Sequence, residues 1–439
     1  MFTNSSAVAL RLTRCLVGLL VAWLLAAAPV GAQVPGETLT VSLLTFGPGE
    51  AVWERFGHNA IVIRDTRTGR GLSYNYGIFD FEETDFATNF LRGHMRYGMA
   101  VNDADDDIAL YAEQGREVVE QPLRFTPAQR YALYEFLQWN AQPENAKYRY
   151  EYFTANCSTQ VRDALDRALG GTIRGQLVAP SRGFTFRLHA NRLMAPDPLL
   201  MLPMDLGLGP YADRPLSFWD ESFVPMAFMK HLQTVTVSDE SGAKVPLVEA
   251  TRKLHAASPL LAQSEQALFA RKGPWPLDYW LFCLPIGAGL GEILYGLAAR
   301  RRSRPARVVF ATVSALTLLA MGLGGLMLAG LWSLTEHVSA WRNGNLLLLN
   351  PLVLLLIPAY VRARRETWTI GPLTRWISRI VLISALAALG LKLLPWIGQH
   401  NGVWVALLLP MHLSLFLALR RLTQPADGTF PAPVPAQSP

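Results

Sequence analysis

Two hydrophobic patterns divide the chain near Gly273. Before that point apolar and polar positions are interleaved: ETLTVSLLTFG and HNAIVIRD are β-branched apolar runs closed by Gly, Pro or Asp, and RGLSYNYGIFDF follows the turn TRTG. These predict a strand meander. Thr126 and Pro127 form an N-cap and N1 pair that predicts a helix through Trp139, with Leu133, Phe136 and Leu137 on one face. YFTANCSTQVRDALDRALGG predicts a second helix, in which Asn156 is the N-cap, Val161, Ala164, Leu165, Ala168 and Leu169 form the apolar stripe, and Gly170 with Gly171 end it. After Gly273, apolar runs of about twenty residues alternate with short loops. They predict five spans, at Asp278 to Ala299, Val308 to Leu331, Leu346 to Val361, Ile377 to Leu394 and Val403 to Leu419, with Asn350 and Pro351 interrupting the third.

Composition agrees: 51% of the 439 residues are hydrophobic and the mean hydropathy is +0.19, too apolar for an ordinary soluble protein. The net charge of +6 does not mark a nucleic-acid partner, because the arginines crowd into RRRSRPAR and RARRETW, while SLTEHVSAWRNGN and PWIGQHNG are nearly neutral. By the positive-inside rule the basic loops face the cytoplasm and the neutral ones the exported side. At the N-terminus, Arg11 and Arg14 precede CLVGLLVAWLLAAA, and Val30 and Ala32 in PVGAQ fit a secretory cleavage site. Residues 1–32 are therefore a signal peptide or an uncleaved first span, and on either reading the domain after them is exported. The chain divides into an exported domain at 33–232, a hairpin and linker at 233–277, a five-span domain at 278–421 and a proline-rich cytoplasmic tail at 422–439, expected to be disordered. Residues 176–232, rich in Met, Pro, Leu and aromatics, suit an acyl chain or the bilayer face about as well as a plain subdomain core.

Of the three cysteines, Cys15 lies in the signal and Cys283 in a span, which leaves Cys157 without a disulfide partner in the exported domain. Its place in the first turn of a helix is expected to lower the thiol pKa, through unpaired backbone N–H groups that would also face the oxyanion of an attacked acyl carbon. A small buried apolar cysteine is the plain alternative. His58, behind Gly57 at the start of a strand, is the candidate base; Asn75 or Asp80 on the next strand is a candidate to orient it, and Tyr152 a candidate to line the site. His94, His189 and His231 are rivals read as solvated. His337, Asn343, Asn345 and Asn350 cluster where the second exported loop meets the third span, as candidates for binding a phospholipid head group or a substrate amine, with a capped inter-helix loop as the plainer reading. The exported domain has no His and Cys cluster at ligand spacing, so no metal and no cofactor is expected.

FGHNAIVIRD, YNYGIFDF with NFLRGHMRYGM, and YFTANCSTQVRDAL together resemble the exported domain of the Lnb-type lipoprotein N-acyltransferase family, over about Thr38 to His231. TEHVSAWRNGNLLLLNPL resembles the membrane part of the same family. The resemblance implies an α+β fold: an exported, circularly permuted papain-like (NlpC/P60-like) thiol domain followed by a helical membrane domain of about five spans. It implies that Cys157 and His58 are a catalytic pair, that a phospholipid is the acyl donor and that a diacylated lipoprotein is the acceptor, at the periplasmic side of the inner membrane. A membrane-tethered cysteine peptidase or amidase acting on cell-wall peptides would use the same dyad, although such a substrate needs neither the spans nor the apolar segment. A non-catalytic membrane scaffold is the reading in which Cys157 is structural.

Overall fold

The fold is taken from a computed structural model that describes residues 13–14, 16–17, 34–79, 85–239, 241–261, 277–300, 302–394 and 398–423. Most of the signal segment, Asp80, most of the linker before the first span and the tail from 424 onward lie outside the described residues.

The predicted meander forms as β1 (Leu39–Phe46), β2 (His58–Asp65) and β3 (Gly71–Ile78), paired antiparallel in sequence order. Helix α1 (Phe86–Arg92), β4 (Arg96–Asp103), α2 (Ala104–Glu113) and β5 (Val118–Leu123) follow. Then come α3 (Pro127–Asn140), β6 (Tyr148–Arg149) and α4 (Cys157–Ala168). A hairpin of β7 (Thr236–Ser238) and β8 (Lys244–Pro246) precedes β9 (Arg252–His255). The main sheet has seven strands in the order β6-β4-β3-β2-β1-β5-β9.

Strand alternation decides which residues meet which helix. Leu43, Ile61, Ile63, Tyr74 and Tyr76 face Leu133 and Leu137 of α3 and Val161 and Leu165 of α4. Leu44, Phe46, Ala60 and Val62 face the other way, onto Ala104, Ile108 and Tyr111 of α2. His58 and Asn75 share the parity of the second set, so their side chains fall on the α2 face.

Most of the apolar segment after α4 is core. Phe186, Ala190 and Leu193 of α5 (Phe186–Met194) pack with Phe153, Phe223 and Val224. Helix α6 (Pro198–Gly207) leaves Leu199 and Leu200 exposed, and α7 (Pro225–Leu232) buries Met226 and Met229.

Among the described residues, five helical segments are long and apolar enough to cross a membrane: Leu281–Ala299, Arg304–Ser333, Gly344–Arg362, Pro372–Leu393 and Gly402–Leu422. The third is broken as Asn350 and Pro351 predict, into 3₁₀ turns at Gly344–Leu347 and Pro351–Leu356 and a helix at Ile357–Arg362. Proline at 351 has no N–H to continue the preceding turn, and the Asn350 side chain caps the new one by accepting from Leu352 N–H at 3.0 Å.

The loops sort by charge. The neutral ones meet the N-terminal domain: Asn343 Nδ2 donates to the carbonyls of Leu206 and Gly207 at 2.8 and 3.0 Å, and Gln399 Nε2 to that of Leu208 at 3.1 Å. The basic ones meet each other at the far end, where Arg307 Nε donates to the Arg364 carbonyl at 3.2 Å. A buried charge cluster holds the first seam: Arg187 is bracketed by Asp205 at 3.0 Å and Asp213 at 2.7 Å. Trp404 Nε1 donates to Asp205 at 2.7 Å and His400 N–H to Asp213 at 3.0 Å, so both buried carboxylates are satisfied from the membrane side as well.

Candidate active site

Cys157 is the first residue of α4, as its sequence position predicts. Asn156 caps the helix: its Oδ1 accepts from Thr159 N–H at 2.9 Å, and its own N–H donates to Thr159 Oγ1 at 2.8 Å. The cap is anchored in turn, because Asn156 Nδ2 donates to the carbonyls of Phe223 at 2.9 Å and Tyr152 at 3.1 Å. Behind the thiol, Asn59 Nδ2 donates to Ser158 Oγ at 2.9 Å, and Ser158 Oγ donates to the Ser222 carbonyl at 2.7 Å. The helix start is thereby pinned to β2 one residue from His58.

Gly77 makes the approach possible. A β-bulge falls at this residue between Tyr76 and Ile78, its φ is +90°, and a Cβ placed there would lie 3.3 Å from Cβ of Cys157. Gly57 plays the matching part before the histidine: at φ +79° it turns the chain into β2, and a Cβ there would lie 2.7 Å from the Phe46 carbonyl oxygen.

His58 is held from two sides. Its ring stacks with Phe46 at 5.9 Å and with Tyr111 at 6.1 Å between centroids. Its Nε2 bonds Asn75 Oδ1 at 2.9 Å. The tautomer follows from the network: Asn75 Nδ2 donates to Asp107 Oδ2 at 2.7 Å and to Ser73 Oγ at 3.1 Å, so Oδ1 is the acceptor and Nε2 carries the proton. Nδ1 is then the nitrogen that carries the lone pair. Asp107 is buried and also accepts from Asn102 Nδ2 at 2.8 Å, which fixes the Asn75 amide.

The electrostatics depart from the expected thiolate. The sulfur receives the backbone N–H groups of Asn59, Ser158 and Cys157 and the field of Arg116, all favouring ionisation. Burial outweighs them and pushes the thiol up to about 11. Burial likewise pulls His58 down to about 4, against the hydrogen bond to Asn75. The resting pair is a neutral thiol and a neutral imidazole. Arg116 acts on both: it is buried, donates Nε to the Gly47 carbonyl at 2.8 Å and lies 4.5 Å over the Tyr111 ring that stacks on His58.

Of the candidate residues, Cys157, His58 and Asn75 therefore come to one end of the sheet. Tyr152 sits beside the helix cap, and Tyr111, Tyr148 and Tyr150 are tyrosines on which a charge at Cys157 would act. Asn343 and Asn345 correct the expectation of a substrate site. Both are buried, and their amides are consumed between the modules: Asn343 Oδ1 accepts from Gln399 Nε2 at 2.9 Å, Asn345 Nδ2 donates to the Leu206 carbonyl at 3.0 Å, and Asn345 Oδ1 accepts from Asn401 Nδ2 at 2.7 Å. Asn350 is a cap that also bonds Ser384 at 3.3 Å. His337, the fourth, stacks on Tyr152 at 5.9 Å.

The rival histidines are not uniformly solvated. His94 is half-exposed and pairs with Glu336 at 2.7 Å, whereas His189 is buried 3.7 Å from Glu221, which also takes His231 at 3.1 Å. Sequence reasoning also missed Asp107, Ser73, Arg116 and Tyr111. Among the aspartates at 105, 106 and 107, nothing in the sequence marks the one that turns inward. Among the described residues no group of three or more His, Cys, Asp or Glu could hold a metal ion.

The fold and site define a class: a thiol-bearing α+β exported domain docked on a five-span helical module. Two family models match the chain, the Lnb N-terminal periplasmic domain over residues 27–192 and the Lnb transmembrane domain over residues 293–423. The chain belongs to the Lnb-type family, as a multi-pass membrane protein with a periplasmic N-terminal domain. No curated protein and no solved structure matches it.

Proposed function

We propose that the protein is an inner-membrane acyltransferase that moves an acyl chain from a phospholipid, through a thioester on Cys157, to the N-terminal amine of a diacylated lipoprotein. The observation that carries this reading is a helix-start thiol with backbone N–H groups around it, one of them from Asn59, the neighbour in β2 of an imidazole whose tautomer Asn75 fixes. Because His58 is shifted to about 4 and Cys157 to about 11, both are neutral at pH 7 and the proton moves as the sulfur attacks. His58 Nδ1 takes the thiol proton, Sγ bonds the ester carbonyl carbon, and the resulting oxyanion is received by the backbone donors at the start of α4. The C–O bond then breaks, and His58 returns the proton to the departing lysophospholipid alkoxide. In the second half the lipoprotein α-amine attacks the thioester, His58 accepts an amine proton, the C–S bond breaks and Sγ is reprotonated. The apolar, half-buried site favours aminolysis over hydrolysis by limiting water. No metal or cofactor enters these steps.

The test is a hydroxylamine-sensitive acyl group on Cys157 of the purified protein, discharged by a diacylated peptide with a free α-amine to give an N-acylated product. Cys157→Ser should abolish product, and His58→Ala should lower it by about 10²–10⁴. Release of free fatty acid alone would make the protein a phospholipase. Cleavage of wall peptides with no acyl-enzyme would favour an amidase, and a Cys157 that acquires no label in either assay would leave a scaffold.

A further inference from the structure

Helix α1 is seven residues long and buries none of them; Phe90 is 42% and Leu91 69% exposed. So short a helix has little stability of its own in water, and among the described residues only the edge of His337, against Phe90, lies over its exposed apolar side. It is tied instead to the loop after the second span. Glu336 N–H donates to the Arg92 carbonyl at 2.8 Å, His337 Nε2 donates to the Phe90 carbonyl at 2.9 Å, and the Glu336 carboxylate pairs with His94 at 2.7 Å and with Arg149. That span, Arg304–Ser333, ends beside Trp332 and Leu334, which are 47% and 79% exposed. A tryptophan at the end of a span marks the bilayer interface, so α1 stands at the level where lipid would cover it.

From this level a series of rings leads toward the nucleophile. His337 stacks on Tyr152 at 5.9 Å and 21°, Tyr152 meets the edge of Tyr150 at 5.9 Å, and Tyr150 stacks on Tyr97 at 4.1 Å. These tyrosines are half-buried, each keeping part of its surface open. The bridge between Glu151 and Ala155 folds the chain back, and the Tyr152 carbonyl accepts from the Asn156 cap, so the series ends next to the first turn of α4. Tyr148, paired with Tyr97 across β4 and β6, packs in the same apolar cluster as Cys157.

We propose that α1 and the loop at Glu336–His337 form a lateral portal through which one acyl chain of a phospholipid in the exported leaflet leaves the bilayer and lies along Tyr152 and Tyr150 to reach Cys157. This rests on the acyl-transfer reading and adds to it the donor's route: the chain enters sideways from lipid, not from the aqueous face.

Two measurements test it. In the first, the full-length Cys157→Ala protein is placed in vesicles of phosphatidylethanolamine and phosphatidylglycerol carrying a phosphatidylethanolamine with a diazirine on its acyl chain. Irradiation should cross-link peptides covering 86–97 and 148–153, and Leu91→Glu in the same background should cut that yield at least fivefold. Label confined to the spans would overturn the portal. This readout needs no chemistry, so it stands even if Cys157 proves never to be acylated. In the second, acylation of Cys157 by vesicle phospholipid is compared with acylation by water-soluble p-nitrophenyl butyrate. Leu91→Glu should slow the first at least tenfold and the second less than twofold, with Leu91→Phe restoring the first. An equal loss with both donors would make α1 a structural element only, and no loss with either would remove it from the route.

Discussion

The neutral resting pair makes a quantitative statement about Cys157 that separates this site from an ion-pair cysteine enzyme. The perturbation is pH, read through alkylation by iodoacetamide in detergent micelles. With the thiol moved from an ordinary value near 9 to about 11, its thiolate fraction at pH 7 falls about 100-fold, to about 10⁻⁴. A more basic thiolate is intrinsically more nucleophilic, with a Brønsted exponent of about 0.4–0.5 in thiol chemistry, and two units of pKa return roughly six- to tenfold. The net expectation is alkylation roughly 10–15-fold slower than a free cysteine at pH 7, rising about tenfold per pH unit up to pH 10. His58→Ala should change this rate less than threefold, because a neutral imidazole does little to hold a resting thiolate, yet it should lower acyl transfer by about 10²–10⁴. A rate that levels off by pH 8, or that collapses in His58→Ala, would refute the reasoning and restore the thiolate that the helix position alone suggests.

Three further outcomes are expected. His58 must be neutral to act as base, and its shift to about 4 puts the acid limb of kcat/KM near pH 4, where an ordinary histidine would place it above 6. Over the same window the unfolded chain binds a proton that the folded chain refuses, so stability should fall from pH 6.5 toward 4 by up to about 3 kcal/mol from this group, measured by denaturation of the His58→Gln variant beside the wild type. Gly77→Ala places a Cβ at 3.3 Å from Cys157 Cβ on a backbone at φ +90°; it should lose roughly 1–2 kcal/mol of stability and more than tenfold in acylation, and an unimpaired variant would show that the close approach is dispensable. Reporters fused after Arg301 and Arg421 should read cytoplasmic, while those after Gln233 or at His337 should read exported; a cytoplasmic Gln233 would invert the topology.

Sequence periodicity was enough for the elements whose signals are local. The β1–β3 meander, the Thr126 cap of α3, the Asn156 cap that makes Cys157 the first residue of α4, and five apolar segments broken at Asn350 are all set by neighbours within a few residues. Strand β4 and helix α2 escaped because their signals are weak alone: RYGMAVND has no clean alternation, and α2 opens on a run of aspartates. The position of Cys157 at a helix start was legible, and so was a histidine at a strand start. Its ionisation was not, because the backbone donors that favour thiolate are local while the burial that overrides them comes from packing contributed along the whole domain. For the same reason the sequence leaves Asn343 and Asn345 between a substrate site and a polar inter-helix loop. Only the docking of α6 and the exported loops decided that their amides close a seam, since a buried amide must satisfy its donors with whatever carbonyls tertiary contact brings, here those of Leu206 and Gly207.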